Sequence, residues 1–282
     1  MGTSAEPVPR RIEQEAVSEA GERSSIIKAD KKAGKLVGPY LVGELIGEGT
    51  QGKVKEAVHS ETLRRVAIKI VNKLQLRKIK NAEENMKREL KIHRRLKHEH
   101  VVELLEVLEV RKPDKEKQYI VLELINGGSL QDILDELPTH VLPVRLAARI
   151  GRQLFRGLEY IHSKGVVHRD IKPSNLMVNP QAIVKLLDFG ISKGWSRPEL
   201  KGAVRGTWGY MSPEQAEGEV ATSSADLFGL ATVLYELATV EPLFSEKEPD
   251  VLKELLLKDE AARRAARIPR EYAPLARVLV RA

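Results

Sequence analysis

The 282-residue chain contains no cysteine, and this absence excludes disulfide bonds and thiolate metal sites. Aromatic residues make up only 4% of the chain and no nucleic-acid-binding module is present, so we expect no nucleic acid among its partners. No run of about 18 apolar residues occurs, which argues against an integral membrane protein. An apolar signal segment is also missing at the N-terminus.

These absences favour a cytoplasmic location. The four lysines between Lys28 and Lys35 are a weak nuclear address, which adds the nucleus as a second expected location. A solvated run of charge is the simpler interpretation of these lysines.

The residues that are present can build a sizeable core, since 42% of them are hydrophobic. Charged residues make up 31%, with a formal net charge of +7. This charge indicates a solvated basic surface or, alternatively, attraction to acidic partners or membrane surfaces. Residues 1–36 have little apolar periodicity, so we expect a disordered tail there.

A specific motif lies in the second half of the chain, in the stretch Val167–Asn175, and is followed by Asp188-Phe189-Gly190. Within it, Asp170 can accept a proton from an attacking hydroxyl, and Lys172 can offset charge on a moving phosphoryl group. Asn175 and Asp188 supply hard oxygen ligands for Mg²⁺. Separate groups for proton and metal suit phosphoryl transfer, because a metal-bound carboxylate is a poor base.

A glycine-rich stretch begins at Gly47 and is followed by a predicted strand from Lys53 to Val58. A dinucleotide-binding enzyme would have a helix after these glycines, so that alternative fails. The pattern predicts a β-hairpin laid over phosphates, where the backbone approaches closely because glycine has no Cβ. The expected nucleotide-binding residues of this hairpin are Ile46, Gly47, Glu48, Gly49, Gly52 and Val54.

The next strand carries a lysine on the face opposite its apolar residues. Alternation places Val66, Ile68 and Ile70 on one face and Ala67 and Lys69 on the other. Ala67 is small enough to lie against an adenine ring, and Lys69 can then reach the α- and β-phosphates.

The helix predicted from about Ala82 to Leu96 presents an acidic residue, Glu89, on its apolar face. Burying that charge requires a cation, and Lys69 is the natural partner. His93 falls on the same face, where it could loosen the packing or respond to pH. A hydrogen-bonded core histidine is the preferred interpretation.

The order H-R-D-x-K-x-x-N followed by D-F-G resembles the eukaryotic-type protein kinase family. The resemblance implies an α+β bilobal kinase fold that binds ATP and Mg²⁺ and acts on protein serine or threonine. We expect an N-lobe at residues 37–124, built from a five-stranded antiparallel sheet and one helix. A mainly helical C-lobe is expected at residues 125–282, incomplete at its C-terminus.

The resemblance also implies roles for further residues. Backbone groups of Glu123 and Ile125 would bind the adenine edge, with Leu122 guarding the pocket and Met177 packing under the ring. Ser129 would meet the ribose, and Thr207 would bridge Asp170 and Lys172. The remaining implied positions are the Lys69–Glu89 pair and an anchoring carboxylate, Asp226.

Few hydroxyl groups lie in the expected activation segment, where Ser192 and Ser196 are the only ones between Asp188 and Gly206. We therefore expect a partner protein, rather than loop phosphorylation, to order this segment. The resemblance also implies that Glu214 pairs with an arginine from the later helices of the kinase domain. We find no clear counterpart of that arginine in this sequence.

Stretches such as Gly38-Pro39-Tyr40-Leu41 and Arg94-Arg95-Leu96 look like the liver kinase B family over residues 35–125, whereas the catalytic loop looks more like calcium/calmodulin-dependent kinase kinases. Both families imply an upstream kinase that activates AMP-activated-type kinases. The first also implies activating pseudokinase and scaffold partners. The alternative is a pseudokinase-like module that binds nucleotide without turnover.

Overall fold

The structure is a computed structural model that describes residues 35–49, 52–78, 81–112, 115–137, 142–188, 208–239, 241–246, 249–258, 260–265, 268 and 270–272. The chain divides into two compact units. Unit 1 comprises Met1–Lys78 and Leu104–Asn126, and unit 2 comprises Ile79–Glu103 and Gly127–Ala282. No helix among the described residues is long and apolar enough to cross a membrane.

Unit 1 is built on one antiparallel sheet with the strand order β1-β2-β3-β4-β6-β5. Its strands are β1 (Lys35–Val37), β2 (Tyr40–Gly49), β3 (Gly52–His59), β4 (Arg65–Asn72), β5 (Leu104–Lys112) and β6 (Lys115–Glu123). The sheet thus has six strands, and the predicted number of five was wrong. The extra strand is β1, which pairs with the start of β2 and begins inside the stretch assigned to the tail.

The core of unit 1 lies on one face of this sheet. Val66 and Ile68 of β4 are buried there with Val42, Ala57 and Val121, and Ile70 packs against the cluster. The predicted alternation along β4 is therefore confirmed, since these residues share one face and leave Ala67 and Lys69 on the other.

A buried lysine begins the short helix α1 (Lys73–Leu76). Lys73 is 1% exposed, and its Nζ lies 3.2 Å from Glu109 and 3.3 Å from Glu116. Burial is the largest influence on Glu109 and acts to raise its pKa, but hydrogen bonds from Lys73 and Arg111 together hold the pKa below its usual value. The ion pairs join α1 to the β5–β6 hairpin.

Unit 2 is mainly helical among the described residues. Its helices are α2 (Ala82–His93), α3 (Leu130–Asp135), α4 (Val144–Ser163), α5 (Pro213–Ala216), α6 (Ser223–Thr239), α7 (Pro249–Leu257) and α8 (Glu260–Ala265). Short 3-10 turns occur at Pro173–Asn175, Trp208–Tyr210 and Arg270–Tyr272. A small antiparallel sheet joins β7 (Gly128–Ser129), β8 (Leu176–Val178) and β9 (Val184–Leu186).

Helices α4 and α6 form the core of unit 2. Apolar residues repeat at helical spacing along α4 and are at most 2% exposed; they are Ala147, Ile150, Leu154, Leu158 and Ile161. Helix α4 starts after Pro143 and is followed by Gly165 at φ +71°, two residues that suit a helix start and a helix end. Helix α6 is mostly apolar and is buried nearly all round.

The backbone turns sharply at Gly127, just before β7. Its φ of +147° is one that side chains with a Cβ rarely adopt, and a Cβ there would lie 2.0 Å from the carbonyl oxygen of Val178. Gly128 differs, because a Cβ there would meet Asp132 at an ordinary 3.5 Å. Of the two adjacent glycines, only Gly127 is required by the fold.

We expect Gly127→Ala to lower the free energy of unfolding by at least ~2 kcal/mol, because the methyl group overlaps Val178 and the backbone is strained. Urea-induced unfolding measures this loss. Gly128→Ala is the matched control and should cost clearly less. Equal losses in the two variants would contradict the prediction.

Candidate active site

The loop that carries the predicted catalytic residues is held by a buried carboxylate on α6. Asp226 is 0% exposed, and its Oδ1 accepts a hydrogen bond from the backbone N–H of Arg169 at 2.6 Å. Its Oδ2 accepts one from the N–H of His168 at 2.7 Å and lies 2.8 Å from Nε2 of His162. Because a buried charge needs such donors, Asp226 ties the loop backbone to the core.

His168 links the same loop to the end of β9. Its Nε2–H donates to the carbonyl oxygen of Leu187 at 2.6 Å, and its Nδ1 accepts from the backbone N–H of Asp170 at 3.3 Å. These two contacts together fit the neutral imidazole with its proton on Nε2. Leu187 N–H in turn donates to the carbonyl oxygen of Asn175 at 2.9 Å. The residue before Asp188 is thereby tied to the loop.

Three of the predicted catalytic side chains meet at one point. The Nζ of Lys172 lies 3.1 Å from Oδ2 of Asp170. The amide Nδ2 of Asn175 donates to the same Oδ2 at 3.0 Å and to the Asp170 carbonyl oxygen at 2.8 Å. The short turn Pro173–Asn175 makes this possible, since it folds Asn175 back towards Asp170. The Asp170 carboxylate is thus held between a cation and an amide.

Asn175 and Asp188 fit the ligand set of Mg²⁺. The Nδ2 atom of Asn175 is used by Asp170, which leaves its Oδ1 as the ligand oxygen, and Asp188 is exposed two residues beyond β9. Among the described residues, no group of three or more histidine or acidic side chains could hold a metal ion. Mg²⁺ commonly binds through one or two protein oxygens and completes its shell with phosphates and water, so this sparse pair suffices.

The glycine-rich hairpin connects β2 and β3 in unit 1. Gly47 pairs with Val54, and Gly49 pairs with Gly52. Gly52 has φ +142°, and a Cβ there would lie 2.2 Å from the carbonyl oxygen of Ile70. The structure therefore requires glycine at this position. Two other predicted members of the hairpin are exposed, namely Ile46 and Glu48.

The remaining predicted nucleotide residues of the sheet share one face. The register pairs Lys69 with Val54 on one side and with Ile120 on the other, and it pairs Ala67 with Leu122. Directly paired residues project to the same face of a sheet. Lys69 is 4% exposed despite its charge. Unit 1 therefore presents Val54, Ala67, Lys69 and Leu122 on one face, and their contact with a nucleotide stays a prediction.

The two residues expected to bind the adenine edge, Glu123 and Ile125, lie at and just after the end of β6 and are half-buried. Ser129, expected at the ribose, is the N-cap of α3, and its Oγ accepts from the N–H of Asp132 at 3.1 Å. The Asp132 carboxylate accepts from both the N–H and the hydroxyl of Ser129 at 2.7 Å. This capping box was readable in the sequence as S-x-x-D. The ribose contact and Met177, which pairs with Ser129, stay predictions.

Helix α2 has the predicted inner face, because Met86, Leu90 and His93 are at most 5% exposed. His93 Nε2–H donates to the carbonyl oxygen of Val102 at 2.8 Å. This confirms the preferred interpretation of His93 as a hydrogen-bonded core histidine. Glu89 is half-buried on the same helix. Its predicted pairing with Lys69 joins residues of different units and stays a prediction.

Part of the predicted site lies outside the described residues. Thr207 and Phe189 belong to that part, together with the activation-segment hydroxyls of Ser192 and Ser196. Glu214 is described and is half-buried, and it forms no ion pair with any other described residue.

A tyrosine of the short turn Trp208–Tyr210 pairs with a buried glutamate of α6. The hydroxyl of Tyr210 donates to Oε2 of Glu236 at 2.7 Å. Burial, followed by the charge of Asp135, raises the pKa of Glu236, while the hydrogen bond from Tyr210 acts to lower it. Burial and the Glu236 carboxylate raise the pKa of the Tyr210 phenol.

Residues 40–278 match the family model for the protein kinase domain. The chain belongs to the protein kinase family. It is 40% identical over 219 residues to the serine/threonine-protein kinase STK11 of Rattus norvegicus, covering 76% of this chain and 50% of the relative. It is 37% identical over 229 residues to the serine/threonine-protein kinase par-4 of Caenorhabditis elegans, covering 79% of this chain and 36% of the relative.

A third relative is the serine/threonine-protein kinase stk11 homolog of Dictyostelium discoideum, which is 34% identical over 236 residues, covering 82% of this chain and 40% of the relative. The chain spans about half or less of the length of these curated relatives. The predicted kinase fold and the likeness to the liver kinase B family are confirmed. The likeness of the catalytic loop to calcium/calmodulin-dependent kinase kinases stays a prediction. No finding supports the pseudokinase alternative.

Two polar residues of this kinase site were not found from the sequence. His162 reaches Asp226 from the end of α4, and Gln215 donates from Nε2 to the carbonyl oxygen of Arg169 at 3.0 Å. Arg169 has a left-handed φ of +70°, so its backbone needs such support. The sequence carried no signal for either contact, because each joins residues far apart in the chain.

We expect Asp226→Asn to lower the free energy of unfolding by about 2 kcal/mol or more, because an amide accepts through one oxygen only and presents donors to donors. Amide hydrogen exchange at His168 and Arg169 should also become faster, and mass spectrometry detects this. Asp250→Asn, at an exposed position on α7, is the control and should change neither quantity. Unchanged exchange at both amides in Asp226→Asn would rule out the anchoring role.

The Tyr210–Glu236 pair predicts a pH dependence of stability. A carboxyl group whose pKa is higher in the folded than in the unfolded state stabilises most below its unfolded pKa. That stabilisation is lost as the pH rises through the folded pKa. Glu236→Gln removes the titration and keeps an acceptor for Tyr210, so the variant should gain stability relative to the parent as the pH rises above about 4.5.

Urea unfolding at a series of pH values between about 4.5 and 8 measures the difference between Glu236→Gln and the parent. Glu219→Gln, at an exposed position, is the matched control for replacing a glutamate by glutamine. A constant difference for Glu236→Gln would show that Glu236 does not titrate as predicted.

Proposed function

We propose that the chain transfers the γ-phosphoryl group of MgATP to serine or threonine hydroxyls of proteins. The observation that carries this proposal is the cluster of Asp170, Lys172 and Asn175, in which one carboxylate is held at 3.0–3.1 Å by an amide and a cation. Phosphoryl transfer depends mostly on such positioning and on charge stabilisation, because its transition state is loose. Membership in the protein kinase family supports the same reaction.

In this proposal Asp170 orients the substrate hydroxyl and accepts its proton as the oxygen attacks. Lys172 offsets the negative charge on the transferred group. Asn175 Oδ1 and the Asp188 carboxylate would hold Mg²⁺, which would neutralise charge on the phosphates. Two parts of the fold carry these groups, since Asp226 anchors the loop that holds Asp170, Lys172 and Asn175, and β9 leads to Asp188.

Unit 1 would bind the nucleotide. The β2–β3 hairpin brings backbone N–H groups to the phosphates, because Gly52 lets the strands approach closely. Ala67 and Leu122 would border the adenine, and Lys69 would bind the α- and β-phosphates. Glu89 would pair with Lys69 in the active arrangement. Backbone groups of Glu123 and Ile125 would recognise the adenine edge.

A more specific proposal is that the protein substrate is the activation loop of an AMP-activated-type kinase, and that activity requires partner proteins. The likeness to STK11 supports this, together with the small number of hydroxyls between Asp188 and Gly206. A pseudokinase and a scaffold protein are the kinds of partner that the liver kinase B resemblance implies.

The test is transfer of labelled phosphate from MgATP to a serine/threonine peptide library and to an AMP-activated kinase loop peptide, with and without the pseudokinase and scaffold. We expect Asp170→Asn to lower the rate at least ~100-fold, because a general base contributes about that much. Asp250→Asn is the control and should keep the parent rate.

Equal rates in Asp170→Asn and the parent would contradict the assigned role of Asp170. No transfer by the parent under any condition, partners included, would overturn the proposed function. Transfer to the library without preference for the loop peptide would overturn only the more specific proposal.

A further inference from the structure

Helix α4 carries four arginines in a line on its outward side. Arg145, Arg149, Arg152 and Arg156 follow one another at spacings of four, three and four residues. This spacing places them within an arc of roughly 60° and along ~16 Å of the helix. All four side chains are exposed, whereas the opposite side of the helix is buried in the core. We call these residues the arginine stripe.

No described acidic side chain forms an ion pair with the arginine stripe. In the ranges that the structure describes, no acidic side chain pairs with any of its members, and Arg149 makes the one polar contact, with the carbonyl oxygen of Gln181 at 3.2 Å. Elsewhere in unit 2, some exposed cations do have partners, as Lys87 has Glu83 at 3.4 Å. Glu159 continues the same helix face three residues after Arg156 and is exposed, but it forms no ion pair with Arg156. The four arginines therefore carry positive charge that no ion pair with a described residue neutralises.

Further positive charge and an apolar side chain lie beside the stripe. Burial is the largest influence on His98 and lowers its pKa. The nearby charges of His100, Lys185 and Arg156 lower the pKa further, whereas the Glu99 carboxylate raises it. Phe155 lies next to Arg152 and Arg156 on the helix surface and is 50% exposed. A ligand on this surface would therefore meet a line of cations flanked by one apolar contact.

We propose that the arginine stripe is a docking surface for an acidic helical segment of a partner protein. Two helices share the same rise per residue, so carboxylates at spacings of four, three and four stay in register with the four arginines along the whole stripe. Arginine also pairs with carboxylates through two parallel hydrogen bonds. Phe155 would contact an apolar residue on the same segment.

The straight geometry of the stripe favours a helix over other anionic ligands. Phosphates of a nucleic acid follow a curved path and would lose register with a straight line of guanidinium groups. A lipid surface has no register, and Phe155 alone offers little apolar area for insertion. The stretch Ile12–Glu22 of this chain holds four glutamates and no lysine or arginine, so the test must separate it from a partner.

The test measures binding of a labelled peptide to the full chain by fluorescence anisotropy at low salt. The probe is an alanine-based helix with glutamates at spacings of four, three and four, and the comparison peptide has the same composition with glutamates distributed around the helix. We expect the aligned peptide to bind at least about fivefold more tightly, because only it can place four ion pairs at once. Equal affinities for the two peptides would overturn the proposal.

Two charge-reversal variants locate the binding surface. Arg149→Glu/Arg152→Glu should lower the affinity for the aligned peptide at least about tenfold, since two attractions become repulsions. Arg94→Glu/Arg95→Glu makes the same change of charge at exposed positions after α2 and should stay within about twofold of the parent. An equal loss of affinity in the control would show that net charge rather than the arginine stripe causes the effect, and would overturn the proposal. Circular dichroism checks folding, and Arg149→Gln/Arg152→Gln provides a milder second variant.

Rival occupants are tested on the same surface. Stripe-dependent binding of single-stranded DNA or phosphatidylserine vesicles that is tighter than peptide binding would overturn the proposal in favour of a phosphate ligand. Glu15→Gln/Glu19→Gln/Glu22→Gln in the full chain should leave peptide affinity unchanged. A tenfold gain in that variant, or more, would assign the stripe to the chain's own acidic stretch instead of a partner.

Discussion

The position of the catalytic loop depends on one buried carboxylate. Asp226 accepts hydrogen bonds from two successive backbone N–H groups, those of His168 and Arg169, and it lies on the most buried helix of unit 2. The strained backbone of Arg169 persists because these contacts hold it. Every residue to which we assign chemistry in the loop follows within six positions of Arg169. Core packing around α6 therefore determines where Asp170 lies.

Hydrogen bonds carry this order outward from the loop to the metal-binding residues. His168 is bonded to Leu187, and Leu187 is bonded to Asn175, so β9 and the loop support each other. Asn175 then uses both protons of its amide on Asp170, which gives the side chain a single orientation. In unit 1 the equivalent constraint is strand register, which places Lys69 and Ala67 on the face opposite the core. Each unit therefore positions its functional groups by its own backbone pairing.

Local patterns predicted the parts of the structure that have a regular period. The alternation in β4 and the helical spacing in α4 identified core residues correctly, because burying one face imposes that period on the sequence. Predictions failed where a tertiary contact, rather than the local sequence composition, determined the structure. Lys73 lies in a basic stretch of the sequence but is buried between two glutamates, and β1 was missed because three residues carry too little pattern. Ser129 also caps helix α3, a role that its S-x-x-D pattern made readable, and its ribose contact stays a prediction.

The sequence by itself determined the family, the types of reactive residue and the periodic core, since each of these is written in short-range order along the chain. Only the tertiary structure decided which groups meet. His162 and Gln215 support the catalytic loop from 64 and 46 positions away from their partners, and the Tyr210–Glu236 pair owes its raised pKa values first to burial. The arginine stripe likewise became a candidate interface only from the structure, in which no described acidic side chain forms an ion pair with it. Such facts depend on contacts between distant residues, and local sequence patterns do not record those contacts.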